Sequence, residues 1–334
     1  MVIVMLFFGV TNPTVSAEKI TLKLHNFTLE ARRGSQFLNE FARRVAEKSG
    51  GTLEIKVFHG GSLGVKNTDI LRLLSDGIVD AAVVWGPYLH RDAPALFNIY
   101  TEGAISTPEE HAKAFPVILD AYRKTMEKWN IVYLGPLQGP MYDTCLFCKE
   151  PVQNLEELQG KKVRVWSKQQ VETLKKLDVT AEIIPQADMY MALQTGVVDC
   201  AFYIAEIAPM RHLQEVVPYE SYLMPFAPMP TALGFSQKAW GKLSAEQKAI
   251  VREAADDMGK RSFEESMANA LDPEYKQEKI RERVQKGFKK LPDFPVEERK
   301  KLIEKALETW AELAEEAGPE AVANRKRTLD AIAQ

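Results

Sequence analysis

One short string occurs twice in this chain, and it constrains the fold more than any other feature. Residues 74–82 read Leu-Ser-Asp-Gly-Ile-Val-Asp-Ala-Ala, and residues 193–201 read Leu-Gln-Thr-Gly-Val-Val-Asp-Cys-Ala. Gly77 recurs as Gly196 and Asp80 as Asp199, each 119 positions later (77 to 196, 80 to 199). The surroundings recur too. In the first copy, 20–25 alternates as a strand does, and 30–48 carries Phe37, Leu38, Phe41 and Val45 at helical spacing, stopped by Gly50-Gly51. A strand over 53–58, a helix over 67–75 and a strand over 79–85 follow. The second copy reads strand 162–166, helix 169–177, strand 180–184, helix 188–195 and strand 197–203.

Both copies are β-α-β-α-β, which implies parallel pairing with right-handed crossovers and two α/β lobes. Open α/β sheets bind ligands beyond the carboxyl ends of their strands, so the expected site is the cleft between the lobes. The Gly-x-x-Asp inside each repeat has a structural explanation. A helix must end and a strand begin within a few residues; glycine supplies the left-handed turn and aspartate bonds nearby backbone amides. Asp80 and Asp199 are therefore not expected to form a catalytic pair.

The remaining sequence adds helices and limits the function classes. A helix is expected from a Ser-Ala-Glu-Gln start at Ser244, another between Pro295 and Gly318, and a last one after Pro319. Apolar residues make up 46% of the 334 positions, enough for a large core, and the net charge of −3 with no basic block argues against a nucleic-acid partner. At the amino end, the apolar run Met1–Val10 and the small residues Val15-Ser16-Ala17 read as an export leader over 1–17, cut near Ala17. The three cysteines, Cys145, Cys148 and Cys200, do not form a disulfide framework. Cys145 and Cys148 make a C-x-x-C pair, so a thiol oxidoreductase is one alternative. Their flanks read as a strand, however, where positions i and i+3 face opposite sides. No zinc pattern or Gly-x-Ser-x-Gly elbow is evident.

The order of motifs resembles the TRAP transporter periplasmic solute-binding proteins, the DctP-type family. Phe41-Ala-Arg-Arg-Val-Ala-Glu-Lys-Ser-Gly-Gly-Thr-Leu-Glu-Ile is similar to their first helix and second strand, and His59-Gly-Gly-Ser-Leu-Gly64 to the following loop. Leu158-Gln-Gly-Lys-Lys-Val-Arg164-Val resembles the start of their second lobe. Tyr190-Met-Ala-Leu-Gln-Thr-Gly-Val-Val-Asp199 resembles their most recognisable string, and Leu243-Ser-Ala-Glu-Gln-Lys a later helix start. The resemblance spans roughly residues 19–310. It implies a two-lobed periplasmic-binding-protein fold that captures a carboxylate-bearing solute in the periplasm. The solute then passes to a permease of small and large membrane subunits, with no enzymatic step; the residues themselves suggest no cofactor and no metal ligands. Lobe I would comprise 18–140 with about 229–270, and lobe II 141–228 with about 271–334. A sensory binding module would share the fold and pocket.

The resemblance also implies site residues. Arg164 occupies the position whose guanidinium grips the substrate carboxylate in a planar fork. Tyr203 stands where relatives carry asparagine, Trp85 ends the matching strand of the first lobe, and Asn26 ends the first strand. Gln186 falls where several relatives place an aromatic, Thr144 where some place a second arginine, and Phe226 lies in the Pro-rich stretch 224–230. A pocket that loses amide polarity and gains rings suits an aromatic, heterocyclic or 2-oxo monocarboxylate.

Overall fold

The computed structural model describes residues 19–141, 143–225 and 228–334. The expected leader and its cut near Ala17 lie outside these residues, as does Phe226. The first unit runs β1 (Ile20–His25), α1 (Arg33–Lys48), β2 (Leu53–Phe58), α2 (Ile70–Ser75), β3 (Ala81–Val84), then α3 (Pro94–Phe97), α4 (Pro108–Lys128) and β4 (Ile131–Gln138). The chain continues through β5 (Thr144–Cys148), α5 (Leu155–Gln159), β6 (Lys162–Val165), α6 (Lys168–Lys175), β7 (Thr180–Ile183), α7 (Met189–Thr195), β8 (Cys200–Ile204) and β9 (Tyr219–Tyr222). It ends with β10 (Pro230–Ser236), α8 (Gln237–Gly241), α9 (Ala245–Leu271), α10 (Pro273–Gln285), β11 (Lys289–Lys290), α11 (Val296–Ala317) and α12 (Pro319–Ile332).

Two sheets result, with orders β2-β1-β3-β10-β4 and β11-β9-β5-β8-β6-β7. The repeated units supply β2-β1-β3 and β7-β6-β8, all parallel. Both sheets are mixed, because β10 runs antiparallel to β3 and β4, and β5 antiparallel to β8 and β9. These strands are exchanged: β5 follows β4 in sequence but joins the second sheet, and β10 follows β9 but joins the first. The chain thus passes from one lobe to the other after β4 and again after β9. The crossings touch where the Gly139 amide donates to the Met229 carbonyl at 3.1 Å. A Cβ on residue 139 would come within 3.1 Å of the Met229 Cβ, which is why glycine suits this close approach.

The repeated aspartates do the same work in each lobe. Asp80 Oδ2 accepts from the Lys23 amide at 3.0 Å, and Asp199 Oδ2 from the Lys162 amide at 2.9 Å. Each carboxylate holds the central parallel strand of its unit, Asp80 within β1 and Asp199 at the first residue of β6. Gly77 and Gly196 adopt φ of +67° and +81°, the left-handed turn that ends each preceding helix.

Each sheet is covered on both faces. Phe37, Phe41 and Val45 of α1 and Val251 and Met258 of α9 bury one side of the first sheet, and α2 and α4 the other. Ser244 caps α9 in a reciprocal box with Gln247, as its sequence implied. The C-terminal helices, grouped by sequence with the second lobe, also pack on the first. On α11, Leu302 joins the core around Leu146 and Phe202, while Ala306 and Trp310, one and two turns on, join the core around Tyr100 and Tyr122. Trp310 Nε1 donates to the Asn98 carbonyl at 2.7 Å. Lys113 on α4 donates to the Ile332 carbonyl at the end of α12. α11 therefore rests on both lobes, and α12 on α11 and the first lobe.

Candidate functional site

Both sheets point the carboxyl ends of their parallel strands at a cleft of about 810 Å³ between the lobes. The second lobe contributes Arg164 from β6, Trp166 and Ser167 beyond it, Ile184–Gln186 after β7, and Tyr203 from β8. The first contributes Phe27 and Arg32 after β1, Asn67 after β2, and Trp85, Tyr88 and Glu102 from β3 onward.

Arg164 is 2% exposed. Its Nε donates to the Ile184 carbonyl at 2.9 Å and its Nη1 to the Phe202 carbonyl at 3.2 Å, so the loop after β7 and the strand β8 fix the guanidinium plane. The Trp166 and Tyr203 rings lie 5.9 and 5.8 Å from its Cζ. No described carboxylate forms an ion pair with it. Burial pulls the guanidinium down to about 10, so it stays cationic at neutral pH but poorly solvated. An unpaired buried charge is costly, and an incoming anion relieves that cost.

The remaining walls are aromatic and cross-linked between lobes. Phe27 stacks on Trp85 at 5.8 Å, and Tyr88 meets both edge-on at 5.5 and 4.8 Å. Glu102 accepts from Trp166 Nε1 at 3.1 Å and Ser167 Oγ at 3.4 Å across the cleft, and its burial raises the carboxyl above the ordinary carboxylate range. Arg32 Nη2 donates to Gln186 Oε1 at 3.0 Å and to the Tyr203 hydroxyl at 3.3 Å, again from one lobe to the other.

Of the residues singled out by sequence, Arg164, Tyr203, Trp85 and Gln186 line this cleft. Asn26 does not. It is buried in a local network, donating to Ser35 Oγ at 2.8 Å and accepting from Thr28 Oγ1 at 3.0 Å, which braces the loop after β1 beside a smaller chamber. Thr144 lies buried within β5, opposite Ile204 on β8, and lines neither cavity. Sequence reasoning missed Arg32, Tyr88, Trp166 and Glu102. One signal was present for Arg32. It is the N-cap of α1, followed by Arg33, and two cations oppose the positive end of a helix dipole. Arg33 is offset by Glu265 and Glu40, whereas Arg32 has no described acidic partner.

The dithiol alternative is corrected. Cys148 and Cys200 face each other in the β5–β8 register and form a disulfide with Cα atoms 4.1 Å apart. Cys145 is free and fully desolvated, with its thiol pushed well above its ordinary value by burial and by nearby Glu220. It is neither paired with Cys148 nor ionised. Among the described residues, no cluster of three or more His, Cys, Asp or Glu could hold a metal, and no helix is long and apolar enough to cross a membrane.

The DctP family model, described as bacterial extracellular solute-binding protein, family 7, matches residues 30–317. An uncharacterized protein of Salmonella typhimurium, YiiZ, is 27% identical over 224 residues, covering 65% of this chain and 66% of that relative. The fold is similar to DctP7 of Bordetella pertussis, an extracytoplasmic solute receptor binding pyroglutamic acid, with a TM-score of 0.81 and 21% identity over 94% of this chain and all of that one. It is also similar to a marine-metagenome TRAP solute-binding protein specific for aromatic acid ligands. That match has a TM-score of 0.78 and 20% identity, and it covers 94% of this chain and 99% of the other.

Proposed function

The chain belongs to family 7 of the bacterial extracellular solute-binding proteins, and from that premise we propose that it captures a small organic acid in the periplasm and delivers it to a TRAP-type permease of small and large membrane subunits. The observation that carries the reading is Arg164, a buried guanidinium on the wall of the interlobe cleft with two donors spent on backbone carbonyls and no described anion beside it. A ligand carboxylate docks on the guanidinium edge left over. The lobes close about the two crossings, where Gly139 meets Met229. Closure removes water from the ion pair and lays the rings of Trp85, Tyr88 and Trp166 against the ligand body.

The ring-rich walls favour an aromatic or heterocyclic acid, or a 2-oxo monocarboxylate. The acids named for the two structural relatives, pyroglutamic acid and aromatic acids, support that choice. On this reading, residues 1–17 are a leader removed before the protein works, and the site itself carries out no chemistry.

The test is a thermal-shift screen of the protein from Glu18 onward against a library of organic acids. A ligand that binds only the folded state raises its melting temperature by mass action. The expected result is a shift with an aromatic, heterocyclic or 2-oxo acid that disappears in Arg164→Ala. A protein that responds only to sugar acids or C4-dicarboxylates would refute the ligand class, and one whose shift survives Arg164→Ala would refute the grip.

A further inference from the structure

We propose that Arg32 is a second acceptor-binding group of the cleft, supplied by the opposite lobe from Arg164, so that the preferred acid carries an oxygen acceptor next to its carboxylate. The inference rests on the carboxylate reading of Arg164 given above and adds a specificity determinant to it.

Arg32 has three features that a structural arginine does not usually combine. It lies at the amino end of α1, where the exposed backbone amides already make the potential positive and no side-chain cap is present. Its neighbour Arg33 is paired with Glu265 and Glu40, but no ion-pair partner of Arg32 is found among the described residues. Its Nε is buried with no described hydrogen-bond partner, while Nη2 reaches across the cleft to Gln186 and Tyr203. The cost of leaving a buried donor unmade falls when an acceptor arrives.

Tyr203 links the two arginines. Its hydroxyl accepts from Arg32 and its ring lies 5.8 Å from the Arg164 Cζ. Tyr88, packed beside Trp85, feels both cations. The space between therefore meets a guanidinium from each lobe. A simple monocarboxylate satisfies Arg164 and leaves Arg32 with only the neutral oxygens of Gln186 and Tyr203. An acid with an adjacent oxo, hydroxyl or ring-carbonyl oxygen satisfies both arginines, and does so only when the lobes are closed. Arg32 thus couples recognition of the second oxygen to closure.

The experiment is calorimetric titration of wild type, Arg32→Gln and Arg32→Lys with matched acids differing only in the second acceptor. One pair is butanoate and 2-oxobutanoate, the other 3-phenylpropanoate and its 2-oxo analogue. The wild type should prefer the oxo member by about tenfold or more, as expected for a hydrogen bond from a charged donor. Arg32→Gln should abolish the preference, weakening the oxo member by about tenfold more than the unsubstituted acid, and Arg32→Lys should restore part of it. Equal weakening of both members by Arg32→Gln would mean that Arg32 is only a lobe latch, and an unchanged preference would mean that it does not meet the ligand; either overturns the inference. If acids bind and Arg164→Ala has no effect, the carboxylate grip has failed instead. If the wild type binds none of the acids, both fall.

Discussion

The two lobes share a frame and differ in what the frame holds. In the first, His25 on β1 stands opposite Ala82 on β3; in the second, Arg164 on β6 stands opposite Ala201 on β8. The positions are equivalent, each two residues past the amide held by the repeated aspartate. His25 is buried, held by Asn67 at 2.8 Å, and burial lowers its imidazole pKa, which keeps it neutral. Arg164 keeps a charge at the same depth. The frame therefore tolerates a neutral or a cationic group at this point, and under the proposed function the asymmetry gives the carboxylate grip to the second lobe.

The largest expected effect breaks that asymmetry. Arg164→Ala should cost on the order of 2–5 kcal/mol of acid binding, the range for truncating a buried charged partner, whereas His25→Asn should change affinity little. Titration calorimetry of both variants checks this. Wild-type affinity should hold across neutral pH and fall only as the guanidinium loses its proton, above about 10.

The second difference is covalent. Only the second lobe has a described disulfide, between residues 52 apart in sequence. A Cys148→Ser/Cys200→Ser protein should lose about 2–4 kcal/mol of stability by the loop-closure argument. Urea unfolding followed by hydrogen exchange should place the loss in β5–β8 and not in the first sheet.

The third difference is in pH response. His111 on α4, which donates through Nε2 to Gln138 Oε1 in the first lobe, is pulled by burial from 6.5 to about 4. Its folded value lies below its unfolded one, so its contribution is complete above pH 6.5 and declines as pH falls toward 4. The decline is at most about 3 kcal/mol. Glu206, after β8 in the second lobe, is raised by burial from 4.5 to about 8. Its contribution is complete below pH 4.5 and declines as pH rises through 8. Melting curves from pH 4 to 9 should show His111→Gln flattening the acid limb and Glu206→Gln the alkaline limb.

The smallest effect concerns what the lobes share. Asp80→Ala and Asp199→Ala should each cost about 1–2 kcal/mol of stability, through loss of one charge-assisted bond to a backbone amide. The two costs should be similar and acid affinity unchanged. Unequal values would show that the repeat is a likeness of sequence without a likeness of load.

Much of this was legible because it is local. The Gly-x-x-Asp repeats, the apolar spacing of α1 and the Ser244 cap each specify a turn, a helix face or a helix start within a few residues. The position of Arg164 near the end of its strand was readable for the same reason. What sequence did not reveal depends on contacts far apart along the chain. The pairing of Cys148 with Cys200 follows from the register of β5 against β8. Arg32 reaches partners 154 and 171 positions away. Asn26 and Thr144 were plausible by place in the chain, but strand pleat and local bonding turned them away from the cleft.

The exchange of β5 and β10 has a consequence for how the molecule is made. It is halved in space but cannot be halved in sequence. Until residues 230–236 have been synthesised, β3 and β4 have no strand between them, and the first sheet to begin stays open while nearly all of the second is laid down. A chain emerging from its amino end must therefore carry an unfinished lobe for most of its length, and a truncation between β4 and β10 leaves an unpaired sheet edge on each side of the gap.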